Sequence, residues 1–220
     1  MDVKEAISSR HSTRLFDSNK QVSEDDLKEI VRLAQQAPSW VDSQPWKVYI
    51  ATGEKLKQIK EKHRENVEQG VKANPDWPTT HRKDWAEFPR ENMARHNADT
   101  EKFWETNPIE GVTRADLQER LYDAPVICYL TIPKNSNRWS TYDLGAFGQT
   151  LMLAAKGLGI DSMPAYEIVK FPESIRKIMN IPDDETIGMG IALGYGDKST
   201  RVNEYHAHRV DLDKMLKIED

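Results

Sequence analysis

The chain has 220 residues, 38% of them hydrophobic and 30% charged, which suits one globular domain with its own core or one subunit of a compact oligomer. A formal net charge of −5 without a long basic run argues against nucleic acid as the main partner, and a lone cysteine, Cys128, excludes an intrachain disulfide and favours a reducing compartment. Met1-Asp2 leads directly into polar chain and no apolar run approaches about 18 residues, so neither a signal peptide nor a membrane span is expected, and a cytoplasmic location is.

In chain order, residues 2–9 read as a helix capped by Asp2, with Val3, Ala6 and Ile7 on one face. Ser23, with Asp26 three residues on, starts a second helix carrying Leu27, Ile30, Val31 and Ala34, which Pro38 stops. Trp46 to Ala51 alternates as a strand, and Gly53 turns the chain. Residues 54–73 form a helix with Leu56, Ile59, His63 and Val67 in one stripe. From 75 to 111 the chain is polar but rich in large rings: Trp77, Trp85, Phe88, Phe103 and Trp104. One helix is predicted near 90–105. The segment reads equally as a mobile lid over a site or as an insertion that buries its rings against the core.

Thr113 with Asp116 opens a short helix, and 125–131 is a continuous apolar run, hence a strand buried on both faces with Cys128 as a packing residue. Residues 138–157 form the central helix, with Leu144, Phe147, Leu151, Ala154 and Leu158 at helical spacing. Met163 to Glu167 reads as a loop, Pro172 to Asn180 as a helix, and Thr186 to Leu193 as a strand with Ile187, Met189, Ile191 and Leu193 alternating against small residues. Leu212 and Leu216 are candidates to dock a polar tail. Helices and a few strands in this order predict an α+β class, in one domain spanning 1–220.

Two stretches carry chemistry. Arg10 and Arg14 bracket His11 and Ser12, and two guanidiniums and a hydroxyl near a helix end can hold a phosphate dianion by forked, charge-assisted hydrogen bonds. Taken alone, they read as solvated surface arginines. Arg209, beside His206 and His208, is a third phosphate contact or a tail charge. The second stretch is the loop 37–46, where Pro38 and Pro45 bound Ser39, Asp42, Ser43 and Gln44, side chains able to hydrogen-bond a heteroaromatic edge. Alone it is an ordinary polar turn. Gly188-Met189-Gly190-Ile191-Ala192-Leu193-Gly194 misses the dinucleotide fingerprint by one spacing and reads as a buried strand. His206-x-His208 lacks carboxylate or cysteine partners, so no metal is expected.

Four motifs together resemble the FMN-dependent nitroreductase family. Arg10-His11-Ser12-Thr13-Arg14-Leu15-Phe16 is similar to its opening motif, and Ala37 to Trp46 to its second. Gly157-Leu158-Gly159-Ile160-Asp161-Ser162-Met163-Pro164 resembles the third, and Ala192 to Gly196 followed by Arg209 the fourth. The resemblance implies a central, mostly antiparallel sheet surrounded by helices in an intertwined homodimer, with two FMN sites between the protomers. It implies that Arg10, Ser12, Arg14 and Arg209 hold the phosphate and ribityl chain, with His11 acting through its backbone. Pro38, Ser39, Trp40, Asp42 and Gln44 would approach the flavin from the other subunit. Pro164, Ala165, Tyr166 and Glu167 would line one ring face, with the backbone N–H of Tyr166 or Glu167 at flavin N5. Gln118 and Arg120 are further candidates at the flavin pyrimidine.

The implied activity is NAD(P)H-dependent, ping-pong reduction of nitroaromatic, quinone or similar planar acceptors, with NADH or NADPH as donor and no catalytic side chain. A flavin-dependent dehydrogenase or dehalogenase-like relative, and a non-catalytic FMN-binding protein, are the alternative readings. The chain departs from the family where Asp42 replaces the usual asparagine, where His206-Ala207-His208 replaces a second basic residue before Arg209, and in the aromatic segment 75–111.

Overall fold

The helices begin where short polar side chains can satisfy their first amide groups. Asp2 accepts the Glu5 N–H at 2.8 Å ahead of α1 (Val3–Ser9). Ser23 accepts the Asp26 N–H at 3.0 Å ahead of α2 (Glu24–Ala34). A computed structural model describes residues 1–219. After α2 come β1 (Lys47–Ala51), α3 (Gly53–Glu68), α4 (Glu87–Thr106), and α5 (Arg114–Glu119), which opens on a reciprocal Thr113–Asp116 capping box. Then follow β2 (Val126–Pro133), α6 (Arg138–Gly157), β3 (Asp161–Pro164), α7 (Pro172–Met179) and β4 (Glu185–Gly194). Among the described residues, no helix is long and apolar enough to cross a membrane.

The four strands form one antiparallel sheet in the order β1-β2-β4-β3. β2 is buried on both faces, as its unbroken apolar run requires. Val126, Cys128, Leu130 and Ile132 face a core built with α2 and α6, while Ile127 and Tyr129 face the core that includes α3 and α7. The chain is therefore a three-layer α+β arrangement around a central sheet.

Four sequence expectations need correction. Helix α3 ends at Glu68 rather than 73, because Gly70 adopts φ +64° and the Val71 N–H turns back to the Asn66 carbonyl at 2.9 Å. Residues 161–164, of which 163–164 were read as loop, form the short edge strand β3 on β4, and Tyr166–Val169 is a 3-10 turn. In β4 the alternation breaks. Leu130 faces Met189 but Thr131 faces Ile187, so Gly188 is an extra residue in the ladder. Ile187 thereby joins the core on the α3 and α7 side, while Ile191 and Leu193 lie in the other. Lastly, Leu212 and Leu216 do not dock onto their own chain and remain exposed.

Candidate functional site

Residues 10–16 run as a strap across the open end of the sheet. Thr13 N–H donates to the Ser162 carbonyl of β3 at 3.1 Å, Phe16 N–H to Tyr122 at 3.0 Å, and Asp17 N–H to Tyr195 at 2.8 Å. Asn203 locks the strap from the tail side. Its Oδ1 accepts the Arg14 and Leu15 N–H groups at 2.8 and 3.1 Å, and its Nδ2 donates to the Leu15 carbonyl at 2.7 Å. The strap thus places Arg10, His11, Ser12 and Arg14 beside β3 and beside the tail that carries His206 and Arg209.

The cluster is cationic. Among the described residues, neither Arg10, Arg14 nor Arg209 makes a salt bridge, and Nη1 of Arg10 is buried without a hydrogen-bond acceptor. Ser9 Oγ and Ser162 Oγ are buried orphans in the same region. Arg10 is drawn below its usual range by burial and then by the charge of Arg209, so the two guanidiniums face each other's field. Arg14 is lowered first by burial, and His206 by burial and then by His11, Arg14 and Lys156. The His11 and His206 rings lie 4.2 Å apart. Cations brought together without acidic partners are unfavourable until an anion arrives, which is the electrostatic form of a phosphate site.

β3, the end of the third motif, leads from the strap to the turn that follows it. Pro164 ends the strand, and the Ala165 N–H donates to the Gly190 carbonyl at 3.1 Å. The Tyr166–Val169 turn then lies flat on β4, because Gly190 has no side chain: a Cβ there would sit 2.3 Å from Ile168 Cγ2. The Tyr166 and Glu167 N–H groups open this turn and have no acceptor among the described residues. The Glu167 side chain points away from them, paired with Lys170 and 3.1 Å from His63 Nε2 of α3. Burial raises its pKa, but the His63 and Lys170 hydrogen bonds outweigh that and keep it below the usual carboxylate range. Tyr122 is pushed up to about 12 by burial and then by the Glu167 charge, with Arg14 and Arg114 opposing. It lies in the field of both the turn and the strap.

The second motif sits apart. Trp40–Asp42 forms a 3-10 turn whose Trp40 N–H is held by both oxygens of the buried Asp143 of α6 at 3.2 Å. Ser39 Oγ accepts the Gln44 N–H at 2.9 Å, and Asp42 Oδ1 accepts from Gln44 Nε2 at 2.9 Å. Val41, Asp42 and Gln44 all adopt positive φ, at +49°, +56° and +42°. That is costly for non-glycine residues and typical of functional loops. Pro38 and Trp40 are exposed, and no hydrogen bond joins this loop to the strap among the described residues. Gln118 is likewise exposed, and Arg120 is committed to Asp123 at 2.9 Å.

A family model, "Nitroreductase family", matches residues 7–195. The chain belongs to the nitroreductase family. It is 29% identical to a 4-nitrobenzoate reductase of Pseudomonas putida over 94% of this chain and 91% of that protein. It is 29% identical to a chloronitrobenzene nitroreductase of Comamonas testosteroni over 86% and 85%. The fold matches that of an FMN-dependent nitroreductase, NfnB from Mycobacterium smegmatis, solved in complex with NADPH (TM-score 0.89, 23% identity, 99% and 97% coverage). The fold thus brings the first, third and fourth motifs together within one chain, and no hydrogen bond among the described residues joins the second to the strap.

Sequence reasoning missed Asn203, Tyr122, His63 and Asp143. Only Asp143 carried a readable signal, a carboxylate next to Leu144 in the apolar stripe of α6. Asn203 lies in a polar tail where nothing distinguishes it from its neighbours.

Proposed function

We propose that this nitroreductase binds FMN and uses NADH or NADPH to reduce nitroaromatic, quinone or similar planar acceptors by ping-pong hydride transfer, as a cytoplasmic homodimer with two sites between its protomers. The observation that carries the reading is the basic cluster: Arg10 with a buried, unpartnered Nη1, set against Arg209 with no carboxylate partner among the described residues. A terminal phosphate relieves that repulsion and satisfies the orphan donor. The names of the Pseudomonas putida reductase and of the FMN-dependent, NADPH-complexed Mycobacterium smegmatis structure support the acceptor and cofactor classes.

Each group then has a physical task. Arg10, Ser12, Arg14 and Arg209 fix the phosphate and ribityl chain, with His11 contributing backbone. Pro164, Ala165, Tyr166 and Glu167 line one ring face. The free N–H of Tyr166 or Glu167 donates to the ring nitrogen that exchanges hydride, a fixed dipole that needs no rearrangement during reaction. Pro38, Ser39, Trp40, Asp42 and Gln44 of the second protomer close the other side and leave a slot for a flat donor or acceptor. When bound, flavin supplies the two-electron relay, so no side chain acts as nucleophile or acid.

Titrating FMN into flavin-free Arg10→Ala and Arg209→Ala variants tests the cluster. Each substitution is expected to weaken binding roughly tenfold or more, since a charged hydrogen bond is worth about 1.5–3 kcal/mol, and added salt should weaken the wild type more than the variants. Stoichiometric flavin retained by both variants sinks the phosphate role. Bleaching of the bound flavin by NADPH and its recolouring by 4-nitrobenzoate or menadione tests the reaction.

A further inference from the structure

Among the described residues no carboxylate pairs with Arg14, yet its pose is well defined. Its Nη1 donates to the Ser12 carbonyl at 3.0 Å and reaches the Tyr205 carbonyl at 3.5 Å. The guanidinium carbon stands 4.8 Å from the centre of the Tyr205 ring. Tyr205 is buried, and helix α4 supports it from a different direction. Phe103 meets its ring edge-on at 5.3 Å, and the Tyr205 hydroxyl lies 3.1 Å from His96 Nδ1. Phe103 and His96 are seven residues apart, two turns on one face of α4. Partial burial, then the charges of Arg14, Arg114 and Arg209 against that of Asp99, keep the His96 imidazole below its usual range. In its neutral form, with the proton on Nε2, Nδ1 can accept a hydrogen bond from the Tyr205 hydroxyl.

We propose that Tyr205 is the positioning residue for Arg14: its ring and carbonyl aim the guanidinium at the cofactor, and α4 braces that ring through Phe103 and His96. The aromatic segment 75–111 thereby acts on cofactor binding without touching the cofactor. This rests on the reading that Arg14 contacts bound FMN.

The test is FMN affinity, read by flavin fluorescence on the full-length chain, for Tyr205→Phe, Tyr205→Leu, Arg14→Ala and the Arg14→Ala/Tyr205→Leu double variant. Tyr205→Phe keeps the ring and should bind within about twofold of wild type, while Tyr205→Leu should bind roughly tenfold more weakly. In the Arg14→Ala background the leucine substitution should add less than about twofold, because its effect runs through Arg14. Equal weakening in both backgrounds, or no weakening by Tyr205→Leu, overturns the proposal. If that variant does not fold, Phe103→Ala serves. About threefold weaker binding only when Arg14 is present supports the proposal, and the same loss without Arg14 overturns it. Wild-type affinity in Arg14→Ala with loss in Arg10→Ala overturns it while FMN binding stands. A wild-type chain that ignores FMN removes both.

Discussion

Asp42 brings a carboxylate into a loop where the resemblance to the family implies asparagine. Its backbone is left-handed at φ +56°, a conformation aspartate and asparagine both tolerate because their short polar side chains bond locally. Here that local bond is the one Oδ1 accepts from Gln44 Nε2, and an amide oxygen can accept it equally well. Asp42→Asn is therefore expected to leave the loop intact and to remove one negative charge. If the loop abuts a flavin in the second protomer, reduction adds electrons next to that charge, and taking it away should raise the midpoint potential. A dye-equilibrated reductive titration measures this. A potential that stays put or falls counts against a charged Asp42 at the ring. Val41 beside it has no such excuse for φ +49°, since a β-branched residue gains nothing locally. Its conformation is imposed by the Trp40–Asp143 and Ser39–Gln44 hydrogen bonds on either side.

At the scale of elements, the turn Tyr166–Val169 after the third motif depends on strand β4 being thin at Gly190. The 3-10 turn that exposes the Tyr166 and Glu167 N–H groups presses Ile168 against the buried glycine, and Ile168 and Val169 belong to one core. Gly190→Ala would place a methyl 2.3 Å from Ile168 Cγ2 and 3.1 Å from Val169 Cγ1, so the turn has to lift. The expected cost is about 1–3 kcal/mol of stability, as for other overpacked cores, seen as a lower denaturation midpoint at unchanged slope. Flavin affinity should fall with it, because the N–H donors move with the turn; an alanine variant as stable as wild type would show that the turn yields freely. The glycines here also mark what could be read in advance. Helices α1, α2, α5, α6 and α7 were legible because caps and stripes are local: Asp2, Ser23, Thr113 and Pro172 sit where a helix start needs them. The Gly188 bulge and edge strand β3 were not legible. Both are defined by their partners across the sheet, and a four-residue strand of Asp161, Ser162, Met163 and Pro164 carries no alternation of its own. The same division runs through the candidate site. Arg10, Ser12 and Arg14 announce themselves as a pattern, whereas Asn203 and Tyr205 act through contacts nearly two hundred residues away in sequence.

For the whole molecule, the distribution of apolar surface bears on assembly. Leu212, Met215, Leu216 and Ile218 are 65%, 68%, 46% and 85% exposed along one stretch of tail. Trp139 and Tyr142 at the start of α6, Val3 and Ile7 on α1, and Trp40 and Val41 in the second-motif loop are exposed as well. Scattered apolar residues need no explanation, but a run of four in a tail together with a second group around α1 and α6 is the surface expected of a protein that buries both against a copy of itself. An intertwined homodimer would also bring the second-motif loop, separate from the strap within one chain, to the strap of the other. Burial of a leucine side chain is worth about 1.5–3 kcal/mol, so Leu212→Lys combined with Leu216→Lys should raise the dimer dissociation constant by roughly 100-fold or more. Sedimentation at micromolar concentration reads this directly as a growing monomer fraction. On the proposed reading, flavin should be lost in step with dissociation, because the second-motif loop of each site leaves with the partner. A doubly substituted tail that remains dimeric would remove the tail from the interface, and a wild-type chain that sediments as a monomer with flavin bound would show that one copy of the strap and turn is enough to hold it.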